Sequence, residues 1–170
     1  MFKFGKSLQA VPLSERLSLN TPVHFDAGLL ARLMAGHSEL NARFATMLCR
    51  IDDDPQAAVC AIRDCANQLH ELRRTEALWL YPVIAYGVEY DDDARRQLVR
   101  LRLVMVALTR RVVRRLENLL DAIVSESPTH AVAEDVSALL AEYVQRNEAE
   151  IYPLYNLTSM RQNQAAPRVA

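Results

Sequence analysis

Glycine, lysine and strand-forming runs are all scarce in this chain. Only four glycines occur in 170 residues and no low-complexity tract is repeated, so the sequence fits one domain with a real core and offers no phosphate-cradling glycine loop. Lys3 and Lys6 are the only lysines, and every other basic residue is an arginine. The 20 basic and 21 acidic residues leave a net charge of -1, so no global field draws the protein to nucleic acid or to a membrane. No apolar run reaches the length of a membrane span, and residues 1–9 contain no signal-peptide core, which reads as a cytoplasmic protein. Cysteine is sparse and odd in number. Cys49, Cys60 and Cys65 stand in apolar helical contexts, so the expectation is buried free thiols in a reducing compartment and not a disulfide framework.

What the chain does have is long apolar periodicity punctuated by proline. Residues 1–21 read as an irregular arm, 22–156 as the folded unit and 157–170 as a flexible tail. A first helix, about 24–51, carries Leu30, Leu33, Leu40, Phe44, Met47 and Ile51 at three-four spacing, with His37 in the one vacant slot. Asp52, Asp53 and Asp54 followed by Pro55 open a second helix. Its line is Ala58, Ile62, Cys65, Leu69, Leu72, Trp79 and Val83, and Glu76 fills the gap. Asp91, Asp92 and Asp93 start a third helix lined by Leu98, Leu101, Met105, Leu108, Val112, Leu116, Leu119 and Ile123. Ser127 and Pro128 repeat the cap-then-proline signal for a fourth, lined by Val136, Leu140, Tyr143, Ile151 and Leu154 around Asn147. The fold class is all-α, and four long amphipathic helices with short turns pack most simply as an up-down-up-down four-helix bundle.

The third helix has two further features. Val99, Val106, Val113 and Leu120 form a second seven-residue repeat, roughly 100 to 140° round from the main stripe. This fits either a helix wedged between neighbours or a homodimer face. Arg95, Arg96, Arg100, Arg102, Arg110, Arg111, Arg114 and Arg115 take much of the remaining surface. They read as a solvated face pairing with acids such as Glu117 and Asp121, or as a receptor for an anionic partner; nucleic acid is the less expected occupant.

Polar residues in the core carry the functional signal. Glu76 stands six positions before Pro82 and Asn147 six before Pro153, each proline preceded by a tyrosine, Tyr81 or Tyr152. Glu76 and Asn147 therefore lie at one level, whereas His37 counts about 10 Å away along the axis at roughly 1.5 Å per residue. A carboxylate facing an apolar interior needs a donor or a metal. His37, Glu76, Tyr143 and Asn147 make either a satisfied hydrogen-bond network or, through His37 and Glu76, a single weak metal site. His70 is turned roughly 120° from Glu76, and His24 and His130 sit near helix starts, so these three read as surface groups. The cysteines lack zinc-site spacing and read as packing residues.

The segment Glu76, Ala77, Leu78, Trp79, Leu80, Tyr81, Pro82 resembles the end of the second helix of hemerythrin-like (HHE cation-binding) proteins. Residues 143–154 are similar to the matching end of their fourth helix, and residues 29–48 around His37 to their first. The resemblance covers about residues 25–156 and implies a four-helix bundle whose intact members bind non-haem di-iron for oxygen or redox sensing. Only His37 and Glu76 stand at family ligand positions, with Leu72, Tyr143, Asn147 and an apolar third helix in place of the others. A weaker likeness, to the regulator-of-sigma-D anti-sigma family, rests on bundle size and the pattern of the second and fourth helices. The expectation is a non-enzymatic module that has lost its di-iron ligands, carries no cofactor and interacts with a second copy or an unidentified protein. Alternatives are a residual sensor binding non-haem iron and a transcription-associated regulator. No nucleophile-base pair points to an enzyme.

Overall fold

The computed structural model describes residues 25–165, and their side chains as far as Thr158. The expected arm at 1–21 and His24 lie outside the described residues. Six α-helical segments occur in order: α1 (Leu29–Leu48), α2 (Pro55–Thr75), α3 (Tyr81–Gly87), α4 (Asp92–Val124), α5 (His130–Arg146) and α6 (Tyr152–Ala165). A π-helical turn, Glu76–Leu80, joins α2 to α3, and another, Asn147–Ile151, joins α5 to α6, so the six segments form four rods. The chain is all-α, and no helix among the described residues is long and apolar enough to cross a membrane. Helix α1 packs on α2 and α5, α4 packs on α2 and α5, and α3 packs on α6.

Local chemistry explains most boundaries. The Asp54 carboxylate accepts the Ala57 amide at 2.9 Å with Pro55 in the first turn, and Asp91 accepts the amides of Asp93 and Ala94 at 3.1 and 3.0 Å. Ser127 behaves differently from expectation. No side-chain cap opens α5; instead the Ser127 amide donates to the Ala122 carbonyl at 2.8 Å and the Glu126 amide to Ile123 at 3.2 Å, closing α4. That pattern requires a left-handed residue between them, and Glu126 supplies it with φ 54°.

Proline causes both π turns. In an α-helix Pro82 would lack an amide for the Leu78 carbonyl and its ring would collide with that carbonyl. Here the Tyr81 amide donates to Glu76, five residues back, and the Tyr152 amide donates likewise to Asn147 ahead of Pro153. One extra residue enters each turn and the buried face rotates. Beyond Glu76 the core therefore continues with Leu80, Tyr81, Val83 and Ile84, while Trp79, expected on the buried line, is 57% exposed. Beyond Asn147 it continues with Ile151, Tyr152, Tyr155 and Thr158, leaving Leu154 half-buried.

Three more expectations change. Of the tail expected at 157–170, residues 157–165 continue α6 as helix and 166–170 lie outside the described residues; Thr158 is buried against Gly87, where an added Cβ would come within 2.7 Å of the Thr158 Cβ. Of the cysteines only Cys65 is buried; Cys49 lies past the end of α1 and Cys60 on the outer side of α2, both exposed. The arginines of α4 pair with acids other than those expected: Arg95 with Asp92, Arg96 with Asp93, Arg115 with Asp135 at 3.2 Å and Arg111 with Glu142 at 3.9 Å.

Candidate functional site

His37 on α1, Glu76 in the first π turn, Tyr143 on α5 and Asn147 in the second π turn are all completely buried. Each sits on an otherwise apolar helix face, so the packing that buries the face buries the polar group with it. His37 starts lower along the axis than Glu76: its neighbour Gly36 lies against Leu72, one turn below Glu76, and the Gly36 carbonyl accepts at 3.1 Å from Gln68, two turns below. The side chains reach across it. His37 Nε2 stands 3.7 Å from Glu76 Oε1.

Both oxygens of Glu76 have donors. Tyr143 donates its hydroxyl to Oε1 at 2.6 Å, and the Arg73 guanidinium donates to Oε2. Arg73 was not anticipated. It stands three residues before Glu76 on the same helix, a spacing that lets a long side chain fold back onto the next turn, and only 14% of it is exposed. Its guanidinium also donates to the Tyr81 hydroxyl at 3.4 Å and lies 5.8 Å from that ring's centre. Arg102 of α4 covers the same ring at 5.0 Å.

The imidazole of His37 is held by two tyrosines. Its Nδ1 is 3.2 Å from the Tyr152 hydroxyl, the Tyr152 ring stacks on it at 6.2 Å, and the Tyr143 ring meets it edge-on at 5.3 Å. In the tautomer that accepts from Tyr152, Nε2 carries the proton and faces Glu76, too far for a hydrogen bond. Asn147 is bound less directly, donating to the Tyr143 carbonyl at 3.2 Å. Three buried side-chain atoms among the described residues lack a hydrogen-bond partner: His37 Nε2 and Asn147 Oδ1 within the site, and Gln68 Oε1 below it. Of the four residues expected in the core network, His37, Glu76 and Tyr143 meet directly and Asn147 joins through backbone. Tyr81 and Tyr152 complete it; their signal was the repeated Tyr-Pro.

Electrostatics keep the hydroxyls protonated and the Arg73 guanidinium charged. Burial, reinforced by the nearby Glu76 charge, pushes the Tyr143 hydroxyl well above its ordinary range, and the same two causes raise Tyr81 and Tyr152. Burial opposes the charge of Arg73, but attraction to Glu76 with help from the tyrosines outweighs it and holds the guanidinium above its usual pKa. The donor set does not fit the di-iron centre that the family resemblance implies. It offers one imidazole and one carboxylate, both carboxylate oxygens already accept from protein donors, and among the described residues no three His, Cys, Asp or Glu side chains converge.

Other expected residues lie apart from this site. Val99, Val106, Val113 and Leu120 are each half-buried, with Val113 and Leu120 packed against the core. His70 is exposed, and exposed His130 pairs with Glu134 at 3.2 Å. A groove of about 430 Å³ between α1 and α2, bordered by Glu39, Arg43, Arg50 and Asp64, contains no member of the network. Comparison with protein-family models, curated proteins and solved structures returns no match to this chain.

Proposed function

We propose that this chain is an up-down-up-down, hemerythrin-like four-helix bundle in which an internal cation and hydroxyl donors take the place of metal, and that it serves as a non-enzymatic interaction or regulatory module. The ring of packed neighbours, α1 on α2, α2 on α4, α4 on α5 and α5 on α1, supports the bundle arrangement. One observation carries the functional reading: the Arg73 guanidinium sits on the carboxylate at the family ligand position, which a metal ion would otherwise neutralise. Complete burial of His37, Glu76 and Tyr143 supports it, because a sealed network positions helices and does not admit a substrate. Three free thiols, two of them exposed, fit a reducing cytoplasmic setting.

Elemental analysis tests the reading on protein produced with ample iron and purified without oxygen. We expect colourless protein without stoichiometric metal. Two irons per chain would overturn the proposal; a single ion that disappears in His37→Ala/Glu76→Ala protein would replace it with the residual sensor.

A further inference from the structure

Between Ala94 and Leu116, α4 contains eight arginines and no acidic residue. Four of these arginines have carboxylate partners, and Arg102 covers Tyr81. Arg100, Arg110 and Arg114 are exposed and have no ion-pair partner among the described residues. They fall on one stripe with Leu103 and Ala107, at positions 100, 103, 107, 110 and 114, an arc roughly 80° wide and about 21 Å long. Leu103 is 59% exposed and its neighbour Val104 41%, and half-buried Val99 and Val106 lie one turn before and after Leu103. The outer face of α4 thus has an apolar centre flanked by positive charges that the described residues leave unneutralised.

We infer that this face docks an acidic amphipathic helix of a partner protein, with apolar side chains on Leu103 and Val104 and carboxylates on Arg100, Arg110 and Arg114. The inference rests on the interaction-module reading and names its surface. Charge selects the occupant. A second copy would bring the same arginines against themselves, which disfavours self-association through this face. A nucleic-acid backbone would satisfy the arginines but bury nothing on Leu103 and Val104, whereas a helix of three to four turns matches both the length and the chemistry. Arginine suits the task because its planar fork binds a carboxylate through two hydrogen bonds.

Fluorescence anisotropy with the full chain tests it. The probe is a labelled synthetic helix of about 18 residues with Leu on one face and Glu along both flanks; controls are a scramble of identical composition and duplex DNA of about 20 base pairs. We expect saturable binding of the helix, weakening as salt rises and at least about tenfold tighter than the scramble. Arg100→Gln/Arg110→Gln/Arg114→Gln should weaken it about tenfold and Leu103→Gln several-fold, with melting temperature unchanged because all four side chains are exposed. Equal affinity for the scramble, no binding of the helix, or tighter binding of DNA would each overturn the inference. None of these results bears on metal content, so the surface and the metal-free core stand or fall separately.

Discussion

The Arg73 guanidinium closes on the Glu76 carboxylate from one turn away on the same rod, and the acid it neutralises is completely buried. Such a pair is costly to assemble, because both charges leave water, and more costly to break, because Glu76 would keep only the neutral Tyr143 donor. Arg73→Met should therefore destabilise the protein by about 3–5 kcal/mol. Adding Glu76→Gln to the same chain should recover most of that loss, since the stranded charge is then gone. Urea unfolding of both variants decides the matter. A double variant no more stable than Arg73→Met would mean that Arg73 acts through packing alone.

The π turn at Glu76–Leu80 makes a prediction opposite to ordinary helical counting. An α-helical register carries Leu72 and Glu76 on to Trp79, whereas the inserted residue buries Leu80 and turns Trp79 outward. Trp79→Ala should cost under about 1 kcal/mol and Leu80→Ala about 2–5 kcal/mol. As the chain's one tryptophan, Trp79 should also be readily quenched by acrylamide in the native state. A blue-shifted, protected emission together with a large loss from Trp79→Ala would restore the uninterrupted helix.

The same turn marks the limit of what the sequence discloses. Three-four spacing identifies the rods because every apolar stripe must face a neighbour, and the vacancies at His37, Glu76 and Asn147 are visible as gaps in those stripes. Counting at a fixed angle fails just beyond Glu76 and Asn147, since the π turns ahead of Pro82 and Pro153 add a residue there. Arg73 leaves no gap in the stripe because it lies beside it, and its long side chain enters the core only by folding onto Glu76. The repeated Tyr-Pro marks Tyr81 and Tyr152 in the sequence, but only the rotated register turns those rings inward, where the Tyr81 hydroxyl accepts from Arg73 and that of Tyr152 meets His37.

Glu126 occupies a place at the end of α4 where glycine is the usual choice. Its φ of 54° is what allows the Ser127 amide to reach the Ala122 carbonyl, and a side chain there crowds its own backbone. Glu126→Gly should stabilise the protein by about 0.5–1 kcal/mol, the relief exceeding the extra entropy of the unfolded chain. Thermal unfolding measures this directly. A lower melting temperature would mean that the Glu126 side chain makes a favourable interaction that outweighs its backbone conformation.

Alkaline pH should unfold the protein through its buried tyrosines. Tyr81, Tyr143 and Tyr152 have hydroxyls raised above their ordinary value by burial and by the charge of Glu76. Below pH about 10 folded and unfolded chains both keep these protons, so the three groups give stability no pH dependence. Above it the unfolded chain releases protons that the native chain retains, and stability falls by about 1.4 kcal/mol per pH unit for each tyrosine until its folded pKa is reached. Tyr143→Phe should lose about 1–3 kcal/mol at neutral pH, because Glu76 forfeits a donor, yet its stability should fall less steeply in alkali by one tyrosine's share. Urea titrations between pH 9 and 12 compare the two slopes. Equal slopes would show that Tyr143 does not hold its proton more tightly in the folded chain, and a donor to Glu76 that ionises so readily would be inconsistent with the sealed network.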